Sequence, residues 1–232
     1  MLSLFPLLLL LLFSILLATF LYWLLVTTEG VFLGRRMVVW LYDLTAHKYD
    51  AIKEYDPDDE RLLVARPVMH AVRHLSQPLI LDVATGTGRV PVDLLREPAF
   101  RGRLLALDAA PRMLAVARRR LAPYSGRVQL VQHPAVPLPF ADLTFDAVTC
   151  LEALEFFPSD RAALQEMVRV LKPGGVLLTT RRCGAEARAF LHRYRSPHSL
   201  HALLRDAGLE GIEIFLWQVN YDLVRAWKPE TA

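Results

Sequence analysis

The stretch LDVATGTGRV, from Leu81 to Val90, joins an apolar run to a turn that contains two glycines. The run ends on an acid, Asp82, and the glycines are Gly86 and Gly88. Glycine has no side chain, so such a turn places bare backbone N–H groups where a ligand can approach closely at the carboxyl edge of a sheet. A glycine turn is weak evidence alone, and further residues must support it.

Asp108 supplies that support, because it ends the next apolar run and an acid there accepts hydrogen bonds from both hydroxyls of a ribose. Two nucleotide cofactors suit this pattern. A dinucleotide requires a third glycine for close helix packing, but Pro91 occupies that position. S-adenosylmethionine has a cationic amino-acid end instead of a pyrophosphate, so the carboxylate of Asp82 is useful there. The pattern favours S-adenosylmethionine.

Short apolar runs alternate with helical patterns from Pro78 onward, which is typical of a parallel sheet with helices on both faces. We predict helices at 111–121 and 160–171, the second capped by Ser159, and at 196–207, capped by Ser196. LKPGG at 171–175 should end the second of these and turn the chain. A further helix is predicted at 62–75. The predicted strands are 79–83, 103–107, 128–131, 145–150, 176–180, 211–217 and 221–227.

Four segments in this order resemble the class I S-adenosylmethionine-dependent methyltransferases: LDVATGTG, LLALDAAPRML, PLPFADLTFDAVTCLEALEFF and EMVRVLKPGG. The resemblance implies an α/β, Rossmann-like, doubly wound sheet of seven strands, mostly parallel with an antiparallel last strand. It also implies S-adenosyl-L-methionine as cofactor, with Asp82, Gly86 and Gly88 at its methionine end, Asp108 at the ribose, and Ala109 and Met113 near the adenine. The full cofactor-binding set that we predict is Asp82, Ala84, Thr85, Gly86, Gly88, Asp108, Ala109, Met113, Cys150 and Tyr49.

Two residues depart from the family pattern. Ala84 stands where the family usually has glycine, a change that should be tolerated if its φ is negative. Pro134 stands where the family commonly has an acid that contacts the adenine amino group. That hydrogen bond must come from elsewhere or be missing, which keeps a non-catalytic domain of the same fold as an alternative.

The excess of hydrophobic residues, 53% of the 232, lies at the N-terminus. No charge occurs from Leu4 to Val26, and at about 1.5 Å per residue this run spans a hydrocarbon core of ~30 Å. We interpret residues 1–29 as a transmembrane helix preceding the domain. The alternative is a cleaved signal peptide, but the run is long and lacks a basic start and an A-x-A site. Arg35 and Arg36 favour a cytoplasmic catalytic domain, with Met1 outside.

Residues 30–60 are predicted to be an interfacial or lid segment with a linker, and residues 61–232 the catalytic domain. The stretch YDLTAHKYD contains Tyr42 and Tyr49. It is similar to the entry segment of methyltransferases that act on quinone precursors and lipids, which implies that these tyrosines close over the cofactor. The alternative is an aromatic belt at the membrane interface.

Candidates for a general base are Glu152 and Glu155, which follow the fourth predicted strand, and His133. The alternative is that they are solvated loop residues or caps. Cys150 and Cys183 lack metal-ligand spacing, so no metal is expected and we interpret them as reduced core thiols. The net charge of +3 is spread along the chain. The run 118–120 of arginines is interpreted as a solvated helix end, and no nucleic-acid partner is expected.

These patterns predict a membrane-anchored methyltransferase that modifies a small, apolar or membrane-borne acceptor such as a lipid or quinone. Two alternatives belong to other classes. One is a non-catalytic adapter or lipid-binding protein with this fold, and the other is a nicotinamide-dependent oxidoreductase. The second is motivated only by the glycine turn and Asp108.

Overall fold

A computed structural model describes residues 4–53 and 56–230. Its centre is a seven-stranded sheet in the order β3-β2-β1-β4-β5-β7-β6. Neighbouring strands are parallel except at β7, which is antiparallel to both β5 and β6. The strands are β1 (Leu79–Val83), β2 (Arg103–Asp108), β3 (Val128–Gln132), β4 (Phe145–Cys150), β5 (Leu171–Arg182), β6 (Glu210–Gln218) and β7 (Tyr221–Trp227). The predicted sheet, including its single antiparallel strand, is confirmed.

The α-helices are α1 (Leu4–Tyr22), α2 (Arg35–Thr45), α3 (Tyr49–Ile52), α4 (Pro57–Glu60), α5 (Arg66–Ala71), α6 (Arg89–Arg96), α7 (Pro111–Leu121), α8 (Asp160–Val170) and α9 (Pro197–Asp206). Short 3₁₀ turns occupy Val31–Leu33, Ala122–Tyr124, Leu154–Phe156 and Glu186–Ala189, and π turns occupy Trp23–Thr27 and Arg61–Ala65. The predicted caps are present: Ser159 Oγ accepts from Ala162 N, and Ser196 Oγ accepts from Ser199 N.

The central strands are buried on both faces, which explains their almost continuous apolar sequence. One apolar core cluster includes Leu81, Phe145 and Met167, and a second includes Ile80, Leu94 and Leu104. Residues 80 and 81 therefore contribute to different clusters, as successive side chains of a strand must. The topological switch lies between β1 and β4, where chain connections leave in opposite directions and ligands usually bind in such sheets.

Several predicted bounds differ from those observed, and two of the differences are large. We expected LKPGG to form a turn, but β5 begins at Leu171, which pairs with Phe145 before the register shifts and Val176 pairs with Ala147. The irregularity in this ladder absorbs the glycines within the strand. The helix predicted at 62–75 is divided into the π turn at Arg61–Ala65 and α5, which ends at Ala71.

The N-terminal helix α1 continues into the π turn that ends at Thr27, and none of it is buried. By length and composition, the segment Leu4–Thr27 is apolar enough to cross a membrane, which makes it a candidate span. The chain after it returns to the sheet domain, because α2 packs against α7. Met1, for which we predict an outside location, lies outside the described residues.

Candidate functional site

A cavity of about 360 Å³ lies at the carboxyl edge of the sheet beneath α2 and α3. One end is formed by the loops after β1 and β2, including Ala84, Gly86, Asp108 and Ala109. The opposite end is apolar and is formed by α2 and the loop after β4. Its walls also include Arg35, Val38, Val39, Tyr42, Tyr49, His133, Pro134, Ala135, Val136, Glu152, Phe156, Phe157 and Pro158.

The glycine turn is shaped by three positive φ angles. Gly86 has φ 55°, and the space where its Cβ would lie is open, so a ligand can contact this backbone. Gly88 has φ 81°, and a Cβ there would lie 3.0 Å from Leu121 Cδ1 and 3.2 Å from Ala117 Cβ. Gly88 is thus required for packing of the turn against α7. Ala84 has φ 56°, so the condition under which alanine should be tolerated here, a negative φ, is not met and this residue is held in the left-handed region.

Asp108 is fixed by backbone amides at the end of β2. Its Oδ2 accepts from Gly86 N at 2.8 Å and its Oδ1 accepts from Ala110 N at 2.8 Å. We had expected the Gly86 amide to be free for a ligand. Instead it donates to Asp108 and orients that carboxylate. Burial raises the pKa of Asp108 and the amide hydrogen bonds oppose that shift. Each carboxylate oxygen keeps a further lone pair that can accept from a ribose hydroxyl.

Asp82 lies one layer deeper than the cavity wall. It is 2% exposed, and its Oδ1 accepts from Thr149 Oγ1 at 2.6 Å. Burial raises its pKa to about 6, against the hydrogen bond from Thr149, which lowers it. Four other predicted residues, Thr85, Gly88, Met113 and Cys150, also lie outside the cavity wall. Met113 packs with Ala46 and Ala110 under the two tyrosines, and Cys150 is fully buried in the core.

The predicted lid tyrosines lie together in the cavity wall. The ring centroids of Tyr42 and Tyr49 are 5.8 Å apart, and Tyr42 meets Phe156 edge-on at 5.7 Å. Tyr42 Oη donates to Glu29 Oε2 at 2.7 Å. Burial, and then the charge of Glu29, raises the pKa of Tyr42, and burial followed by Glu152 raises that of Tyr49. Both phenols are therefore neutral and act by packing and hydrogen bonding.

Polar contacts fasten α2 and α3 to the glycine turn and to α7. Asp50 of α3 accepts from Thr87 Oγ1 at 2.6 Å and also pairs with Arg120. Arg120 in turn donates to Thr87 Oγ1 at 3.1 Å. We interpreted the arginines at 118–120 as a solvated helix end, which is wrong for Arg120 because its guanidinium joins Asp50 of α3 to Thr87 of the glycine turn. Asp43 of α2 accepts from the amide of Arg112 at 2.8 Å.

The three candidate bases differ in their surroundings, and the two glutamates are not solvated, since each is 5% exposed. Glu152 borders the cavity with φ 51° and accepts from Arg89 at 2.7 Å. Burial acts to raise the pKa of Glu152, but the charges of Arg89 and Lys53 outweigh it and the pKa is lowered. Glu155 faces away from the cavity, where it accepts from Arg182 at 2.7 Å and from Tyr221 at 2.6 Å.

His133 also borders the cavity. Its Nδ1 lies 2.8 Å from the carbonyl oxygen of Pro134. A carbonyl only accepts, so Nδ1 carries the proton in this contact and the Nε2 of a neutral ring keeps its lone pair. Of the three candidates, His133 is therefore the one arranged to accept a proton.

An ionic cluster that we did not predict lies beside the cavity floor. Arg89, 7% exposed, binds Glu152 and lies 3.8 Å from Glu60, which is 2% exposed. Lys53 Nζ lies 3.1 Å from Glu152 Oε2. We placed Glu60 in a linker, but it is buried, and burial raises its pKa to about 7. The sequence did contain one signal for this cluster: Arg89 is a charged residue in α6, a helix that is mostly buried.

Comparison with known proteins agrees with this architecture. Residues 80–175 match the family described as Methyltransferase domain. A ubiquinone/menaquinone biosynthesis C-methyltransferase from Geobacter sulfurreducens is 36% identical over 112 residues, 47% of this chain and 44% of that protein. A demethylmenaquinone methyltransferase from Thermus thermophilus is 42% identical over 99 residues, 43% of this chain and 44% of that protein. The chain thus matches about half the length of these curated relatives.

Solved structures show the same fold at low identity. A methyltransferase from Aquifex aeolicus superposes with a TM-score of 0.61 at 20% identity, covering 79% of this chain and 97% of that one. The cyclase SpnF superposes with 0.69 at 19% identity, covering 84% and 96%. Because a cyclase shares the fold, the fold alone does not specify the reaction. Residues 80–175 thus match a methyltransferase domain, the two curated relatives are named as quinone methyltransferases, and S-adenosylmethionine is the indicated cofactor.

Proposed function

We propose that this chain is a membrane-anchored S-adenosylmethionine-dependent methyltransferase with a small, apolar, quinone-like or lipid acceptor. One observation carries the proposal. A single cavity joins the glycine turn and Asp108 to an apolar wall of α2 and the loop after β4. A cofactor bound at the glycine turn and Asp108 would have its methyl group on the side of the apolar wall.

The residues of the polar end suit the predicted cofactor. The open space at Gly86 admits the cofactor chain, Asp108 accepts from the ribose, and Ala109 lies beside the adenine region. Asp82, Thr85 and Gly88 support the turn from behind, as do Met113 and Cys150 at a greater depth. Pro134 borders the same end and offers neither an N–H nor an acid to the adenine.

The chemistry required of the protein is modest. S-adenosylmethionine supplies an electrophilic methyl group, so the chain must mainly align an acceptor and exclude water. Val38, Phe156 and Phe157 provide an apolar enclosure. Where the acceptor must lose a proton, we assign its removal to Nε2 of His133, which borders the cavity. Glu152 is engaged by Arg89 and Lys53, and we assign it to shaping the floor and lid rather than to proton transfer.

The acceptor class rests on two independent observations. Relatives that match the domain are named for menaquinone and ubiquinone biosynthesis. The candidate span at Leu4–Thr27 would hold the cavity beside a bilayer, which raises the effective concentration of a membrane-borne acceptor. Trp23 stacks on Phe32 at 5.2 Å, so the end of the span is built into the folded protein, which favours a retained anchor over a cleaved signal. Arg35 and Arg36 support a cytoplasmic domain.

The direct test is calorimetric titration of S-adenosylhomocysteine into the full chain in lipid nanodiscs. We expect saturable binding, and a loss of about 1–3 kcal/mol in Asp108→Ala because a buried acceptor is removed from the ribose. Asp142→Ala, on an exposed loop, is the matched control and should bind normally. Absence of binding to folded wild-type protein would favour the second candidate, a non-catalytic domain, for which Pro134 and the positive φ of Ala84 already argue.

Activity is tested by transfer of a labelled methyl group to demethylated quinones and to lipid extracts. His133→Ala should lower kcat while leaving the affinity for S-adenosylhomocysteine unchanged. Equal turnover by the variant and the wild type would remove His133 as the base and assign catalysis to alignment alone.

A further inference from the structure

Residues 186–194, which follow β5, return to the end of the N-terminal apolar helix. The turn Glu186–Ala189 packs against the π turn Trp23–Thr27. Phe190, 1% exposed, belongs to the same apolar cluster as Val31 and Val38 and meets Phe156 edge-on at 5.8 Å. Two segments far apart in sequence are thereby held at one place, at the base of the candidate span.

The outer side of this junction exposes apolar side chains. Phe32 is 37% exposed, Leu33 46%, Leu191 53% and Tyr194 44%. The guanidinium of Arg193 lies 5.9 Å from the ring centroid of Phe32 and donates to the carbonyl of Phe157, so the two segments and the cavity wall are neighbours. A contiguous exposed apolar patch marks an interaction site. We call Phe32, Leu33, Leu191 and Tyr194 the base patch.

Cations lie close to the base patch in the sequence. Arg35 and Arg36 begin α2, and Arg188 lies in the turn that touches the end of the span; all three are exposed. The acid in that turn, Glu186, lies 3.9 Å from Arg182. An apolar patch with aromatic residues and a cationic border matches the headgroup region of an anionic bilayer.

We propose that the base patch lies in the headgroup region of an anionic lipid bilayer, so that residues 186–194 form a second membrane contact beside the anchor. This proposal rests on the proposed anchoring. The occupant follows from continuity, because residues 186–189 before the patch touch the last turn of an apolar helix that has no buried residue. A segment packed against the end of a spanning helix must lie at the depth of that end.

The placement also orients the cavity. Arg35 borders the base patch and is itself a wall residue of the cavity, as is Phe157, whose carbonyl receives Arg193. The apolar end of the cavity consequently opens beside the bilayer surface. An acceptor dissolved in lipid then reaches the methyl donor without crossing water, while the cofactor end remains toward the sheet.

The test uses full-length protein in vesicles of phosphatidylcholine with phosphatidylserine. Single cysteines carrying an environment-sensitive fluorophore are placed at Leu191, Leu33 and Leu12, in a Cys183→Ser background that leaves buried Cys150 unlabelled. The matched control is Leu143→Cys, since Leu143 is similarly exposed, 48%, but precedes β4 at the amino edge of the sheet. Lipids spin-labelled near the headgroup act as quenchers.

We expect the probes at Leu191 and Leu33 to be quenched several-fold more than the probe at Leu143. Another outcome separates the two proposals. If the probe at Leu191 is quenched no more than the probe at Leu143, but the probe at Leu12 is quenched by lipids labelled deep in their acyl chains, the proposed membrane contact of the base patch is overturned. The proposed anchoring then still stands. If the probe at Leu12 is not quenched either, the proposed anchoring fails and the patch proposal fails with it.

Charge is tested separately by the double variant Arg36→Gln and Arg188→Gln. Quenching at Leu191 should fall in vesicles with phosphatidylserine at low salt and change little in phosphatidylcholine alone, because the cationic attraction is lost. Arg118→Gln with Arg119→Gln, exposed at the end of α7, is the control. Equal quenching in the two lipids for the wild type would overturn the choice of an anionic surface.

Discussion

The two ends of the cavity are built in different ways. The cofactor end comes from consecutive residues at the edges of β1 and β2, and its key contact joins Gly86 to Asp108 across neighbouring strands. The apolar end is assembled from α2, the loop after β4 and the segment after β5. The first end can be recognised in a local motif, whereas the second exists only after distant segments pack together. The following predictions separate these two ends by their energetics.

The largest effect is expected at Arg89, where the ends meet. Arg89→Met removes the cation beside Glu60 and one of the two cations that pair with Glu152, which should cost about 3–5 kcal/mol of unfolding free energy. Thermal and denaturant unfolding of the full chain in detergent measures this loss. Arg118→Met, on an exposed helix end, should change stability little. A small effect at Arg89 would mean that the cluster does not hold the ends together.

A smaller effect, of opposite sign, is expected for Glu60→Gln. Burial raises the pKa of Glu60 from 4.5 to about 7, so the folded state binds the proton more tightly than the unfolded state. Stability is therefore lost as pH rises through the window between those two values. At about pH 8 the variant should be more stable by up to about 3 kcal/mol, and its stability should depend less on pH. Denaturant unfolding of both proteins across this pH range measures the difference. If the stability of the variant depends on pH as strongly as that of the wild type, the prediction is contradicted.

The lid contact at Asp50 is expected to be weaker still. Asp50→Asn removes a charge that pairs with Arg120 and weakens acceptance from Thr87. The affinity for S-adenosylhomocysteine should fall by about 0.5–1.5 kcal/mol, mostly through faster dissociation, because the lid opens more readily. Stopped-flow release of the ligand measures the rate. Asp58→Asn, exposed on α4, is the control, and equal release rates would show that α3 is not a lid.

The sequence allowed prediction of the sheet because β1, β4 and β7 are local apolar runs with clear ends, and their predicted bounds equal those observed. It allowed prediction of Gly86 and Asp108 for the same reason. It did not allow prediction of the pairing of Arg89 with Glu60 and Glu152, since these residues are separated in the chain and carry no spacing signal. Glu152 and Glu155 also show the limit: both follow β4, yet only Glu152 borders the cavity, because the intervening turn at Leu154–Phe156 directs Glu155 toward Arg182.

The smallest effect concerns the turn at the cofactor end. Ala84 has φ 56°, a conformation that costs an alanine about 1–2 kcal/mol and a glycine little. Ala84→Gly relieves this strain but increases the backbone entropy of the unfolded chain by about 0.5–1 kcal/mol. The variant should therefore gain up to about 1 kcal/mol of stability, measured by unfolding, with unchanged cofactor affinity.

The matched control for this turn is Ala122→Gly, at an exposed residue with φ −51°, where no strain is relieved. It should lose stability through the entropy term alone. If both glycine variants are destabilised alike, Ala84 is not strained and the glycine turn tolerates alanine without cost. If only Ala84→Gly is stabilised, the backbone of Ala84 is strained in the wild type. Hydrogen bonds of the turn then overcome this strain: Thr85 N donates to the Leu107 carbonyl at 2.9 Å, and Gly86 N donates to Asp108. In that case, contacts within the turn hold the backbone of Ala84 in the left-handed region before any ligand binds.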